Sequence, residues 1–346
     1  MFLYGWRCRH WLFVVLSFTA VSGCVAPSSS PRPCVARSQD GTPIVEPLFE
    51  WVPLSKLCLE VMGGGVRAGS GGGGPEGHFD DRSPEQWDAI RRVRRIGTDA
   101  VPFLLGQVRC GNRSAVWGFD ALRDLGRSGV PELLSLMRSS NAEVSLTATW
   151  AVGFIGPDAY PAVPLLAERL LAGDFIAGVS LGNIGPAAAE AIPLLIDAYK
   201  AAEEPYRRGY AIALSKIGPQ AAEVVPSLLL DIWTADNALK PGGRGWDREA
   251  VWTRQRLVEA LGGFRGEASG AVAYLIKLLE ERGFNNLTDL HFARAVIRTI
   301  GEIGPGAREA LPLLEQILQR EFSDAVENHF GIREAAAMSI EMILRG

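Results

Sequence analysis

The amino-acid sequence predicts an all-α fold, a right-handed α-solenoid of about seven helix pairs. The first observation is a repeated pattern, in which Ile-Gly-Pro is followed by a second proline eight residues after the glycine. Its four clearest copies begin at Ile155, Ile184, Ile217 and Ile303. The second observation is the period, since the six intervals between Gly97 and Gly304 average about 34.5 residues. Self-similarity at this period is typical of proteins in which each unit buries its apolar side against the next unit.

Residues 1–23 have the features of a lipoprotein signal peptide. Arg7 and Arg9 precede an apolar run of eleven residues, 11–21, which is too short to span a bilayer. The run ends in Val21-Ser-Gly-Cys24, which resembles the lipobox of bacterial lipoproteins. This resemblance implies lipidation of Cys24 and a membrane-anchored protein of the bacterial cell envelope. An ordinary cleaved signal peptide and an uncleaved anchor are the alternatives.

Residues 24–82 are predicted to be a lipid-anchored linker that contains one short apolar segment. Residues 25–41 are rich in proline and serine, a composition typical of extended linkers. The apolar segment follows at 43–62, and we expect a short helix at 54–62. Residues 63–77 contain nine glycines but lack the Lys-Ser/Thr pair and the helix that follow a phosphate-binding loop, which indicates a spacer.

Residues 83–346 hold the repeats, and the pattern within one unit predicts a helix, a turn and a second helix. Counting back from the repeat glycine, positions −1, −4, −5 and −8 are mostly apolar or small, which defines one face of a helix. The glycine is expected to end this helix with a positive φ, and the following proline to open the next helix. The second proline is expected to bend that next helix. Small residues at position −3, such as Gly153 and Gly182, are expected to let neighbouring helices approach closely.

Three copies depart from this pattern. The spacing from glycine to second proline shortens to five residues between Gly97 and Pro102, and again between Gly126 and Pro131. A degenerate copy at 264–274 has lost both the glycine and the second proline. The segment 233–251 before it is interpreted as a loop inserted between helices.

The repeats resemble a known family. The phrases Ala151-Val-Gly-Phe-Ile-Gly156, Ser180-Leu-Gly-Asn-Ile-Gly185 and Thr299-Ile-Gly-Glu-Ile-Gly304 are each followed by a proline and later by Pro-Leu-Leu. They resemble HEAT repeats, and most of all the short HEAT-like repeats named after phycobilisome lyases. The resemblance covers 83–346 and implies HEAT-like helix pairs. It implies little about activity, because the family includes scaffolds, adaptors and a few enzymes.

Composition restricts the function classes further. Hydrophobic residues make up 47 % of the 346 residues and charged residues 21 %, which indicates a folded chain. The net charge of −4 argues against a broadly basic nucleic-acid-binding protein. The four histidines and five cysteines are scattered, so no metal site and no other cofactor is expected. Cys34 lies in the linker, Cys58 and Cys110 are expected to pack in apolar surroundings, and any disulfide pairing stays open.

The sequence contains no motif that indicates catalysis. Deoxyhypusine hydroxylase, an enzyme of HEAT-like repeats, binds a di-iron centre through His-Glu pairs, and the sequence contains no His-Glu dipeptide. Gly178-Val-Ser180-Leu-Gly182 matches the nucleophile pattern G-x-S-x-G, but Ser180 falls on the −5 packing position. We therefore expect no catalytic residue, no enzyme activity and no small-molecule substrate.

The remaining indication of function is a surface. In helix-pair solenoids the helix before the repeat glycine lines the concave side, and its −2 and −6 positions point away from the packing face. Those positions are Arg91, Arg95, Asp120, Asp124, Trp150, Phe154, Asn183, Arg298 and Glu302. Trp150 and Phe154 form an aromatic patch among charged neighbours, an arrangement typical of a binding anchor. The alternative is that the apolar segment at 44–62 folds back and covers them.

The predicted function is therefore that of a lipid-anchored scaffold or adaptor that binds another protein through the concave face. Membrane contact is expected through Cys24, and nucleic acid is not an expected partner. Two alternatives stay open: an enzyme of the HEAT-like type, such as a metal-dependent oxygenase or lyase, and a purely structural component of the envelope.

The lipobox generates a test of location. We expect the wild-type chain to incorporate a fatty-acid probe and to partition with membranes through lipid on Cys24. Cys24→Ala should not mature, because it lacks the thiol that accepts diacylglycerol. Metabolic labelling followed by membrane fractionation measures both properties. A wild-type chain without label would contradict the anchor.

Overall fold

The computed structural model describes residues 37, 40, 42–49, 52–62, 83–239, 248–282, 284, 287–323 and 330–345. The predicted signal peptide, Cys24, Cys34 and the glycine-rich stretch lie outside these residues. The described part is all-helical, as the sequence predicts, apart from one short antiparallel hairpin. Its strands are β1 (Leu48–Phe49) and β2 (Val52–Pro53), with Leu48 opposite Pro53.

Helices of two kinds alternate along the chain after α1 (Leu54–Met62). The even row consists of α2 (Pro84–Ile96), α4 (Ser114–Leu122), α6 (Ala142–Ile155), α8 (Phe175–Ile184), α10 (Tyr206–Ile217), α12 (Arg248–Gly262), α14 (Leu287–Ile303) and α16 (Ile332–Arg345). The odd row consists of α3 (Ala100–Arg109), α5 (Val130–Met137), α7 (Val163–Leu171), α9 (Ile192–Ala201), α11 (Val225–Ala238), α13 (Val272–Arg282) and α15 (Leu311–Gln319). Up to α15, a 3₁₀ segment connects each even helix to the odd helix that follows it.

The packing follows the chain order. Each odd helix packs against the even helix that comes next, from α3 on α4 to α15 on α16. Successive even helices also contact one another from α4 to α16, whereas neighbouring odd helices contact one another less extensively. The buried apolar side chains form one continuous core along the described helices.

The predicted packing face of the even helices is confirmed. In α6, positions −1, −4, −5 and −8 are Ile155, Val152, Ala151 and Ala148, and all four are fully buried. The equivalent residues of α10 are buried as well, including Leu214 and Ala213. The apolar spacing therefore indicates both the helix and the side that it buries.

The predicted glycine at the end of each even helix is confirmed in most copies and corrected in two. Gly97, Gly156, Gly185, Gly218 and Gly304 have φ values between 67° and 105°, which favour glycine. In two other copies this conformation is held by arginine, at Arg123 (φ 45°) and Arg265 (φ 50°).

The copy that we aligned on Gly126 therefore has its repeat position at Arg123. Pro131 then follows by eight residues, as in the clear copies, so the spacing is not shortened there. Gly126 has another role, because a Cβ atom at this position would lie 3.1 Å from the side chain of Ile155. Gly126, which the sequence pattern indicated as the turn residue, is thus a packing residue, and Arg123 is the turn residue.

The prediction that the second proline bends a helix is wrong. Pro164, Pro193, Pro226 and Pro312 are each the second residue of an odd helix, and Pro131 has the same place in α5. The first turn of a helix has no intrahelical acceptor for its N–H groups, so proline is tolerated there without a lost hydrogen bond. These prolines begin the odd helices.

The predicted close approach at position −3 is confirmed. A Cβ atom on Gly153 would lie 2.8 Å from the Cα of Ser180, and one on Gly182 would overlap the Cα of Ala213. Hydroxyl groups at position −5 add a bond across the same contact, since Ser180 Oγ donates to the Thr149 carbonyl at 2.9 Å. Thr299 Oγ1 likewise donates to the Val258 carbonyl, at 3.2 Å. Ser180 is thus a buried packing residue, as predicted.

The segment before the repeats packs on the beginning of the even row. The predicted helix at 54–62 is α1, which contacts α2 and α4. Cys58 is 1 % exposed, and burial, together with the charge of Glu46, raises the pKa of its thiol to about 12. Cys110 differs from expectation, because it is exposed and disulfide-bonded, with its partner cysteine outside the described residues.

A buried ion pair connects the two helices that flank the insertion. Part of the predicted loop at 233–251 is helical, because α11 extends to Ala238 and α12 begins at Arg248. Arg254 is 2 % exposed, and its guanidinium donates to Asp236 Oδ1 at 2.6 Å. The same guanidinium lies 3.6 Å from the centre of the Phe292 ring on α14. This contact joins both ends of the insertion to the next even helix.

One continuous stretch of helical segments, Phe175–Ala201, is long and apolar enough to cross a membrane by length and composition. Over half of its most apolar window, 56 %, is buried within the protein. Gly185 interrupts it with a φ of 75°, so its two halves are the helices α8 and α9.

The close approach of even helices generates a test of stability. Gly182→Ala should lower the free energy of unfolding by about 1–3 kcal/mol, because the added methyl group overlaps the backbone of α10. Gly270→Ala is the matched control, since a Cβ there meets nothing within 4 Å. Thermal unfolding followed by circular dichroism compares the two. Equal melting temperatures for both variants would contradict the tight contact.

Candidate partner-binding face

The even row presents one continuous set of side chains at positions −2 and −6, counted from the residue that has positive φ. We call this set the even-row face. With the corrected register these positions are Arg91 and Arg95 on α2, Trp117 and Ala121 on α4, Trp150 and Phe154 on α6, Val179 and Asn183 on α8, Ile212 and Lys216 on α10, Glu259 on α12 with Gly263 just after it, and Arg298 and Glu302 on α14.

Three aromatic rings from two neighbouring helices meet near the beginning of the face. The ring centres of Trp150 and Phe154 are 6.0 Å apart and nearly parallel, and Trp117 lies 5.7 Å from Phe154. We call these rings the aromatic cluster. Both tryptophans are half-buried, whereas Phe154 is only 8 % exposed. The expectation that Phe154 points away from packed neighbours is therefore wrong, because Trp117 and Trp150 contact it.

The apolar segment at 44–62 was the alternative cover for these rings. Its described helix, α1, packs against α2 and α4 rather than over α6. The observed cover of Phe154 is the pair of tryptophan rings. The surface that remains accessible in the cluster consists of Trp117 and Trp150.

Asp120 and Asp124 do not occupy the positions that the sequence predicts. With Arg123 as the repeat residue, Asp120 falls on the −3 position and is 2 % exposed. Asp124 lies in the 3₁₀ segment Arg123–Gly129, beyond the end of α4. Trp117 takes the −6 position in this copy, and sequence reasoning missed it because Gly126 was used to set the register.

The two arginines at the beginning of the face are exposed, as predicted. Arg91 forms an ion pair with Asp88 at 3.2 Å, and Arg95 lies one turn further along α2. Their neighbour Arg94 donates to the Ala121 carbonyl at 3.3 Å, which connects α2 to α4. The cationic end of the face is thus attached to the helix that carries Trp117.

A groove of about 410 Å³ lies between α12 and α14, at the other end of the face. It contains the predicted residues Arg298 and Glu302 together with side chains that sequence reasoning did not select. Its lining is Val251, Trp252, Gln255, Arg256, Glu259, His291, Arg294, Ala295, Arg298, Thr299 and Glu302. Among the missed residues, Glu259 and Thr299 lie at positions −6 and −5. The others lie at positions −9 to −14, one or two turns before −6 on the same side of each helix.

The contacts inside the groove are polar and aromatic. Trp252 is 45 % exposed, and the Arg256 guanidinium lies 5.6 Å from its ring centre. Arg256 also forms an ion pair with Glu259 at 3.0 Å. Arg294 is exposed and has no ion pair or hydrogen bond within the described part of the chain. The groove therefore offers an open aromatic ring and an available cation to a ligand.

Among the described residues, no three His, Cys, Asp or Glu side chains come together as a group that could hold a metal ion. His291 contacts the Phe330 ring edge-on, with the ring centres 4.7 Å apart. The charged and aromatic side chains of the even-row face are tryptophan and phenylalanine rings, arginines, one lysine and glutamates.

Comparison with protein-family models and with curated proteins found no match for the chain. The described residues form a mainly helical fold of two alternating kinds of helix, with an aromatic cluster and a charged groove on the even row.

The burial of Phe154 generates a test of stability and makes this residue unsuitable for a binding test. Phe154→Ala should lower the free energy of unfolding by about 3–5 kcal/mol, as expected for a buried aromatic side chain. Trp150→Ala should cost less, because the indole is half-exposed, and the exposed Trp233→Ala least of all. Thermal unfolding of the three variants measures this order. A melting temperature for Phe154→Ala as high as that for Trp233→Ala would contradict the observed burial.

Proposed function

We propose that the protein is a lipid-anchored scaffold or adaptor that binds another protein through the even-row face. The observation that carries the proposal is the aromatic cluster, in which two half-exposed tryptophans rest on a buried phenylalanine. Large aromatic side chains with a packed base and a charged surround concentrate binding energy at protein interfaces.

The proposed architecture is a right-handed α-solenoid of about seven HEAT-like helix pairs. The sequence repeats support it, and so does the packing of successive even helices from α4 to α16. A stack in which one row is packed more closely curves toward that row. The even row is the more closely packed one, which supports its place on the concave side, where an extended partner segment would be received.

The proposed location is the bacterial cell envelope, with the chain attached through lipid on Cys24. The lipobox and the Pro/Ser-rich linker after it support this location. An anchored scaffold is confined to the membrane surface, so its partner would be a protein of the same compartment.

The test compares partner capture by full-length variants. Trp117→Ala combined with Trp150→Ala should remove the captured protein, because truncation of interface hot spots costs about 2 kcal/mol or more each. Trp233→Ala is the matched control, since this exposed tryptophan lies on the odd helix α11. Capture from detergent-solubilised envelopes followed by quantitative mass spectrometry measures the effect. Equal capture by the double variant and the control would contradict the proposal.

A further inference from the structure

We propose that the segment received by the even-row face is an acidic protein segment with an aromatic or aliphatic anchor. This inference rests on the proposed function and adds the chemistry of the partner. The observation behind it is a separation of charge, because cationic side chains collect on this face although the chain carries a net charge of −4.

At the beginning of the face, the positive charge comes from α2. Arg91 and Arg95 are exposed at positions −6 and −2. Asp88 lies on the same side of the helix and is shared between Arg91 and Arg92, so it does not neutralise this helix. A partner segment would meet an excess of arginine before it reaches Trp117.

In the middle of the face, one cation accompanies the apolar surface. Lys216 Nζ donates to Asn183 Oδ1 at 2.9 Å, which holds the ammonium group on the face between α8 and α10. The asparagine is neutral and adds no charge of its own. The side chains around it, including Val179 and Ile212, are apolar.

In the groove at the far end, three arginines outnumber two glutamates. Arg256 is paired with Glu259 at 3.0 Å, and Arg298 shares the groove with Glu302. Arg294 adds an exposed positive charge with no ion pair among the described residues. A carboxylate entering the groove would therefore find Arg294 as an exposed cation.

The odd helices and the 3₁₀ segments carry the opposite charge to the even-row face. The odd helices and the 3₁₀ segments before them carry an excess of exposed carboxylates over exposed cations. These carboxylates include Glu168, Glu190, Asp197, Glu223, Glu267, Glu280, Glu281, Glu309 and Glu315. The positive charge of the even-row face is thus a local property, and complementary charge favours an acidic partner on that face.

The spacing of the helices sets the length of the segment. Packed helices lie about 8–10 Å apart, so the groove at α12 is about 24–30 Å from the aromatic cluster on α6. An extended chain covers this distance in about eight residues, and a helix in about eighteen. The apolar anchor and the acidic residues of the partner should be separated accordingly.

Nucleic acid and anionic lipid are also acidic, but the groove favours a protein segment. Glu259 and Glu302 line it together with the arginines, and they would repel a continuous row of phosphates. Separate carboxylates on a peptide can pair with Arg294 and Arg298 and avoid both glutamates. The aromatic cluster requires an apolar side chain, which an acidic peptide can supply.

The test is selection from a displayed library of random peptides against the full chain in detergent. Peptides selected by the wild-type protein should be enriched in Asp and Glu and should contain Trp, Phe or Leu. Selected peptides should bind about tenfold more weakly to Arg294→Glu combined with Arg298→Glu, because two attractive pairs become repulsive. Arg294→Glu alone should show part of this loss. Because Arg294 is exposed and has no ion pair or side-chain hydrogen bond among the described residues, misfolding would not explain weaker binding by this single variant.

The control variant carries the same change of charge on the other side. Lys277→Glu combined with Arg308→Glu alters two exposed residues, one on α13 and one in the 3₁₀ segment before α15. It should bind the selected peptides as the wild type does. Peptides without acidic enrichment, or equal binding to both double variants, would overturn the acidic partner while leaving the proposed function in place. Selected peptides that do not depend on Trp117 and Trp150 would instead overturn the proposed function.

Discussion

The fold depends on one steric constraint, the close approach of consecutive even helices. Gly153 and Gly182 leave no space for a Cβ atom against the next helix, and Gly301 meets Ser339 in the same way. Because glycine is required at these contacts, α6 packs closely on α8 and α8 packs closely on α10. The position of Trp150 relative to Lys216 follows from these contacts, so the even-row face depends on residues that do not belong to it.

Much of the fold could be predicted from the sequence, because local rules determine it. Apolar spacing indicates the even helices and their buried side, and Gly-Pro marks where they end. The register of two copies could not be predicted, because Arg123 and Arg265 adopt a positive φ that their residue type does not indicate. Such a conformation costs free energy and persists where the surrounding structure imposes it.

The candidate site could be predicted only in part, because some of its features depend on contacts between units. Trp150, Arg91, Arg95 and Arg298 follow from helix periodicity alone. The burial of Phe154 depends on Trp117, which comes from the preceding unit, and the groove exists only where α12 and α14 lie side by side. A pattern within one helix contains no information about a surface that two distant segments form together.

The buried pair of Arg254 and Asp236 has a consequence for how the chain can change in evolution. The pair ties together residues 18 positions apart, at the two ends of the insertion. Doubling the length of a connecting loop costs only about 0.6 kcal/mol in closure entropy, whereas breaking a buried ion pair costs about 3–5 kcal/mol. Insertions and deletions between α11 and α12 would therefore be tolerated as long as both charges remain. The molecule can acquire new sequence at this point without altering the helices on either side.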